Sequence, residues 1–237
     1  MGAAMWNGTL FLGDSMVVYL GPAGPGSWHA HHAVQITLAW DAPVMVEMEG
    51  RDVVRGHSAL VPSSVRHRLE TSAERVAVVF VDHVSAAGRA LDERARAGVA
   101  LPLPRPPADA ADVSRFVAEA IGELPVAAAL SPHVTAALAY VDGALEARPT
   151  LAGAAAAVHL SPSRLTHVFA REVGLPFKRY VLWRRLRRVV EEVAEGTTLT
   201  RAAATAGFSD SAHLSRTFRH AFGLPPSALQ HMRLLVD

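Results

Sequence analysis

The 237-residue sequence predicts an α+β multidomain chain: a β-barrel at the amino terminus and an all-α carboxy-terminal domain built from two helix-turn-helix units. Three observations lead there. Short apolar or β-rich runs alternate with Gly, Pro and Asp turns up to about residue 82; from Pro132 onward the texture reads as helical; and one stretch of the helical part occurs twice. Many short strands with such punctuation favour a small sandwich or barrel, and a long self-match marks one supersecondary unit used twice.

The strand runs are Thr9–Leu12, Met16–Leu20, Val34–Trp40, Val44–Met48, Ala59–Val61 and Val76–Val81. Turn-formers separate them, among them Gly21–Gly26, Asp41–Pro43 and Pro62–Ser64. Ser85–Ala97 then reads as a helix stopped by Gly98. The four prolines of Leu101–Pro107 remove donors and hold the backbone extended. In the next predicted helix, Val113, Phe116, Val117, Ala120, Ile121 and Leu124 recur at three, four and seven. This stripe suits either docking on the chain's own barrel or a homodimer seam. The predicted division is 1–82 for the barrel, 83–130 for a helical connector and dimerisation region, and 131–237 for the helical domain.

The duplicated stretch runs from Ser161 to Pro176 and again from Ser209 to Pro225. Leu165, Phe169, Gly174, Leu175 and Pro176 return as Leu214, Phe218, Gly223, Leu224 and Pro225, each 49 residues later. Each copy reads as helix, tight turn, helix. Leu151–Val158 leads into Ser161, a natural N-cap before Pro162 at the first helical position. Leu199–Ala206 leads into Gly207, with Ser209 expected as cap and Asp210 adding negative charge at the helix start. Small Ala155 and Ala203 allow close helix approach, the Leu/Phe pairs four apart face a core, and Gly174 and Gly223 suit left-handed caps. Between the units, Phe177–Glu195 reads as one long helix.

Composition narrows the function classes. Half the residues are apolar, so cores can form, and cysteine is absent, which removes disulfides, thiolate metal sites and cysteine nucleophiles. No apolar run reaches membrane-spanning length, and Met1–Gly8 lacks the character of a signal peptide. These features fit a soluble cytoplasmic protein with no membrane partner. The net charge of +1 hides an asymmetry: residues 150–237 carry a surplus of six positive charges and residues 1–149 a deficit of five. A basic half suggests a polyanionic partner.

Gly207–Ser227 closely resembles the signature of AraC/XylS-type transcriptional regulators, and Tyr180–Arg188 resembles that family's linker helix. The resemblance covers roughly residues 130–235 and implies two recognition helices entering adjacent major-groove segments of one site. Carried over by motif position, the groove-facing residues are Ser163, Thr166 and His167 in the first helix and Ser211, Ala212, Ser215 and Arg216 in the second. Arg216 is the leading base reader, because arginine grips guanine through two hydrogen bonds; a phosphate contact is its alternative. Arg164, Arg171, Lys178, Arg219 and His220 are expected beside phosphates. Two positions depart from the family pattern: His159 replaces a usual glycine and Gln230 a usual terminal arginine. The resemblance implies promoter DNA as partner, RNA polymerase where the protein activates, and an unknown small-molecule effector.

Trp28–Gln35 and Gly56–His67 resemble the two motifs of the cupin barrel, the usual sensor domain of this regulator family. His29, His31 and His67 fall at its metal-ligand positions, with Gln35 in place of the usual glutamate. Alternate residues of one strand share a face, so His29 and His31 can address one divalent metal with His67 opposite. A metal-free effector pocket is the competing expectation, and His32 and His57 are expected at the surface or in hydrogen-bond networks. The leading function is a transcription regulator rather than an enzyme, with no catalytic residue assigned. The alternative is a cupin-type metal-dependent enzyme or metal sensor fused to a DNA-binding domain.

Overall fold

The computed structural model describes residues 6–13, 15–24, 26–98, 115–117, 119 and 129–236. An amino-terminal sheet-rich part precedes a helical carboxy-terminal region. The chain partitions into two compact units, one of Met1–Ala127 with Arg216–Asp237 and one of Ala128–Ser215.

The first unit holds two sheets. Its strands are β1 (Thr9–Leu12), β2 (Met16–Gly21), β3 (Ala33–Ala39), β4 (Val44–Met48), β5 (Val54–Gly56), β6 (Ser58–Val61), β7 (His67–Thr71), β8 (Val76–Asp82) and β9 (Arg233–Val236). The larger sheet runs β6-β3-β8-β2-β1-β9 and the smaller β5-β4-β7. All neighbours are antiparallel except β1 and β9, which pair in parallel with Leu10 opposite Leu234. β3 lies between β6 and β8 and is buried along its whole length. Strand alternation explains how it tolerates Gln35 and Thr37. Val34, Ile36 and Leu38 join an apolar cluster with Val79, Val81 and Leu91, while Gln35 and Thr37 point to the opposite face. Leu91 comes from helix α1 (Ala86–Arg96), whose N-cap Ser85 accepts from the Gly88 amide.

Of the predicted connector stripe, Phe116 and Val117 are described. Both are helical, Val117 is fully buried in that same cluster and Phe116 packs against it. Val113, Ala120, Ile121, Leu124 and the proline-rich Leu101–Pro107 lie outside the described residues.

The helices that follow are α2 (Pro132–Gly143), α3 (Leu151–Ala157), α4 (Pro162–Val173), α5 (Phe177–Ala194), α6 (Leu199–Thr205) and α7 (Ser211–Phe222). In the second unit α2, α3 and α4 pack together, and Phe169 of α4 meets Phe177 and Tyr180 of α5 edge to face. The partition falls within α7, so its last two turns group with the first unit.

Two local expectations are corrected. The chain is not helical to its end: after a 3-10 turn at Pro226–His231 it extends as β9, where Leu234 and Leu235 are half-buried beside β1. Nor does Ser209 cap α7. The His213 amide donates to Asp210 Oδ1 at 2.6 Å, while Ser209 Oγ is bonded to Asp210 and His213. The 49-residue offset already aligns Asp210 with the true cap of the first copy, Ser161, whose Oγ accepts from Arg164 N at 3.2 Å. A carboxylate is a capping acceptor as good as serine and adds charge complementary to the helix dipole.

Candidate functional site

The second helices of the two repeated units, α4 and α7, are built alike. α4 anchors Leu165 and Phe169, and α7 anchors Leu214 and Phe218, all essentially without solvent exposure. Gly174 (φ 71°) and Gly223 (φ 72°) end them in the left-handed conformation. Anchoring one side at i and i+4 turns the opposite side to solvent. In α4, Ser163, Thr166 and His167 are exposed and lie on one face. In α7, Ser211, Ala212 and Arg216 are exposed and Ser215 is half-buried. Thr166 Oγ donates to the Pro162 carbonyl at 2.8 Å, which fixes its rotamer and leaves its lone pairs outward.

The cations around these faces differ in setting. Arg164, Arg171, Lys178, Arg219 and His220 are all exposed. Arg171 pairs at 3.0 Å with the half-buried Glu172, whose other carboxylate oxygen accepts from the Ser131 amide at 2.8 Å. Among the described residues Arg164, Arg216 and Arg219 have no carboxylate partner. On α5, by contrast, Arg187 and Arg188 pair with Glu191 and Glu192 one turn on. His220 has a further neighbour: its carbonyl accepts from the Ala30 amide at 3.1 Å.

A second constellation lies in the sheets. His29 and His67 exchange backbone hydrogen bonds at 3.0 and 2.9 Å as an antiparallel bridge, so their side chains leave the same face. His31, two residues on from His29, joins them, and the three rings have centroids 4.3 to 5.6 Å apart. All three are buried. Each Nδ1–H donates to a backbone carbonyl: His29 to Ser27 at 2.8 Å, His31 to Ala33 at 2.9 Å, His67 to Val65 at 2.9 Å. Burial lowers all three pKa values, that of His67 to about 3, reinforced by repulsion from His220 at His29, from His67 and His29 at His31, and from His29 at His67. The rings are therefore neutral near pH 7, and each Nε2 carries a bare lone pair.

One donor atom from each ring lies within 4.8 Å of the others. Gln35 Oε1 stands 3.0 Å from His31 Nε2 and 3.3 Å from His67 Nε2, while its Nε2 donates to Thr37 Oγ1. Acceptors thus face acceptors, a conflict resolved by a cation or by turning the amide so that its NH2 meets the imidazoles. Neutral imidazoles with Nδ1 tied to carbonyls are also what metal ligation needs, because the outer hydrogen bond fixes ring and tautomer. The donor set fits a divalent ion of intermediate softness, such as zinc or cobalt, held by His29, His31 and His67 with Gln35 as a neutral fourth oxygen.

The loop carrying this cluster is braced by residues the sequence did not single out. Asp92, buried on α1, accepts from the Ser63 amide at 2.8 Å and from Arg96 Nε at 2.6 Å. Next door the Ser64 amide donates to the His31 carbonyl at 2.7 Å, and Ser64 Oγ meets His32 Nδ1. His57 bonds the Ala39 carbonyl. A buried aspartate on an amphipathic helix was the available signal for Asp92; Ser27 and Phe80 offered none.

Residues 154–232 match the family model of a helix-turn-helix domain. The chain is 36% identical over 81 residues to the transcriptional activator RhrA of Rhizobium meliloti (strain 1021), covering 33% of this chain and 26% of that protein. It is 33% identical over 93 residues to the uncharacterized HTH-type transcriptional regulator YidL of Escherichia coli (strain K12), covering 39% and 31%. Residues 154–232 form an AraC-type helix-turn-helix domain. The matches span only about a quarter to a third of the length of these curated relatives. Beyond that domain, the fold is similar to that of ToxT from Vibrio cholerae, with a TM-score of 0.60 at 9% identity over 92% of this chain and 99% of that one. ToxT bound to (E)-4-(8-methylnaphthalen-1-yl)but-3-enoic acid gives 0.59 at 10% identity, over 92% and 99%. In this chain the matched helix-turn-helix domain follows the sheet-rich amino-terminal part.

Proposed function

We propose that the chain is a sequence-specific, double-stranded DNA-binding transcription regulator. Residues 1–82 act as a cupin-like sensor of a small molecule, 83–130 as connector, and 131–237 as the part that reads a promoter. The observation that carries this reading is the twin construction of α4 and α7. Each buries a Leu/Phe pair, ends in a left-handed glycine and turns a polar face to solvent. A helix pair serving only to fill a core needs no such duplicated outer face. α5, at 18 residues, spans about 27 Å, comparable with the ~34 Å between successive major-groove faces on one side of B-DNA. Ser163, Thr166 and His167 read one groove segment and Ser211, Ala212, Ser215 and Arg216 the next. Arg164, Arg171, Lys178, Arg219 and His220 neutralise phosphates. RNA polymerase is the further partner if the protein activates, and the cytoplasm is its place of action. Among the described residues no helix is long and apolar enough to cross a membrane.

The test uses the full chain and labelled duplexes. Arg216→Ala should weaken binding to a preferred duplex by about 1–3 kcal/mol while leaving random duplex nearly unaffected. Arg219→Ala should weaken both alike and lower the salt slope by about one. Equal losses on both duplexes for Arg216→Ala would remove it as a base reader.

A second reading concerns the sensor. The Nε2 atoms of His31 and His67 beside Gln35, with a ring nitrogen of His29 within 4.8 Å of the other two donors, favour a divalent ion at His29, His31 and His67, sensed rather than used for turnover.

A further inference from the structure

We infer that the imidazole cluster and α7 are mechanically linked through the segment Ser27–His31. A divalent ion drawn in by His29, His31 and His67 then changes how α7 presents Arg216 to DNA. This rests on the metal and DNA readings above and adds their coupling.

A helix leaves its last four carbonyls without intrahelical partners. For α7, one of these, that of His220, accepts from the Ala30 amide at 3.1 Å, and the carbonyl of the following Gly223 accepts from Ser27 Oγ at 2.8 Å. Between these two bonds sits His29. Its Nδ1 is packed so closely on the end of the helix that a Cβ added to Gly223 would lie 2.9 Å from it and 3.1 Å from the Ser27 carbonyl. Glycine is thus required at 223 twice over, by its φ and by the ring against it. A second path runs from Phe222 to Phe80, with ring centroids 6.0 Å apart, and from Phe80 to His31 at 5.0 Å. All these contacts fall within the first compact unit.

The cluster is not yet closed to ligation distance. Its donor atoms are spread over up to 4.8 Å, whereas three nitrogens on one tetrahedral ion, each about 2.0–2.1 Å from it, stand about 3.3 Å apart. Ligation must therefore draw the rings together by the order of an ångström. His29 moves against a helix end that its own segment holds by two hydrogen bonds, and packed contacts transmit such shifts rather than absorb them.

The experiment uses the full chain, Co(II) as probe, and duplexes selected from a random pool with and without Co(II). Fluorescence anisotropy reads the duplex Kd, and visible absorbance reads the Co(II) Kd. Co(II) is expected to change the duplex Kd at least five-fold, and by linkage the duplex must change the Co(II) Kd by the same factor. Ser27→Ala, at an exposed residue that neither ligates nor faces the groove, should bring both factors close to one while each ligand alone still binds. If both ligands bind the wild type with each Kd indifferent to the other, the coupling is overturned and the two underlying readings stand. A factor that survives Ser27→Ala unchanged overturns the Ser27–His31 route. Duplex binding without Co(II) uptake, or Co(II) uptake without duplex binding, overturns the inference by removing the metal reading or the DNA reading respectively.

Discussion

His159 adopts φ 54° at the turn between α3 and α4, where the equivalent turn between α6 and α7 has Gly207 at φ 78°. A side chain in the left-handed region costs about 1–2 kcal/mol, part of which a glycine returns through the flexibility of its unfolded chain. His159→Gly should therefore stabilise the protein by about 0.5–1 kcal/mol in urea unfolding, with DNA affinity unchanged; destabilisation would mean that the imidazole makes a contact worth more than the strain. His29, His31 and His67 carry a pH dependence whose sign follows from their lowered pKa values. The unfolded chain takes up protons below about pH 6.5, while the folded cluster stays neutral down to about pH 3 for His67. The stability these groups contribute is thus complete above pH 6.5 and is lost as pH falls toward 3. The urea midpoint should hold from pH 7.5 to about pH 6.5 and fall from there to pH 5, and His67→Phe should flatten that fall. At this scale strand alternation set His29 beside His31 and the resemblance to the cupin motifs added Gln35 and His67, but the three Nδ1–carbonyl bonds that set the histidine tautomers depend on backbone turns no residue type announces.

At the scale of elements, α1 both covers a sheet and braces the histidine loop. Its Leu91 joins the apolar cluster while Asp92 satisfies the Ser63 amide and Arg96. Asp92→Ala leaves the buried Ser63 N–H unpaired, a loss of roughly 1–3 kcal/mol. Differential scanning calorimetry should show a clear drop in Tm, and if Co(II) binds the wild type, its affinity should weaken in the variant. A variant as stable as the wild type would mean that the loop is held elsewhere. α4 and α7 were readable in advance because periodicity and the repeat agree, with the cap of α7 misplaced by one residue, and α5 because no Gly or Pro interrupts Phe177–Glu195. β5 and β7 escaped notice because they are short and mostly polar at the edges of a three-stranded sheet, where pairing rather than burial defines them. β9 escaped because Arg233–Val236 becomes a strand only through its parallel pairing with β1, a contact more than two hundred residues distant in sequence.

For the whole molecule, the charge asymmetry and the duplicated helices point to one behaviour. The last 88 residues hold the positive surplus, and the polar faces of α4 and α7 stand among exposed cations. Two similar readers on one chain predict a site with two unlike halves, since Ser163, Thr166 and His167 offer no guanidinium where α7 offers Arg216. The most direct measurement is selection of duplexes from a random pool by the full chain, sequenced after several rounds at moderate salt. A bipartite motif is expected, its halves about 10–10.5 base pairs apart, with a guanine in one half that ceases to be enriched in Arg216→Ala. Recovery of the starting pool with no enriched sequence, at salt where the chain still binds DNA, would contradict the claim that α4 and α7 read bases.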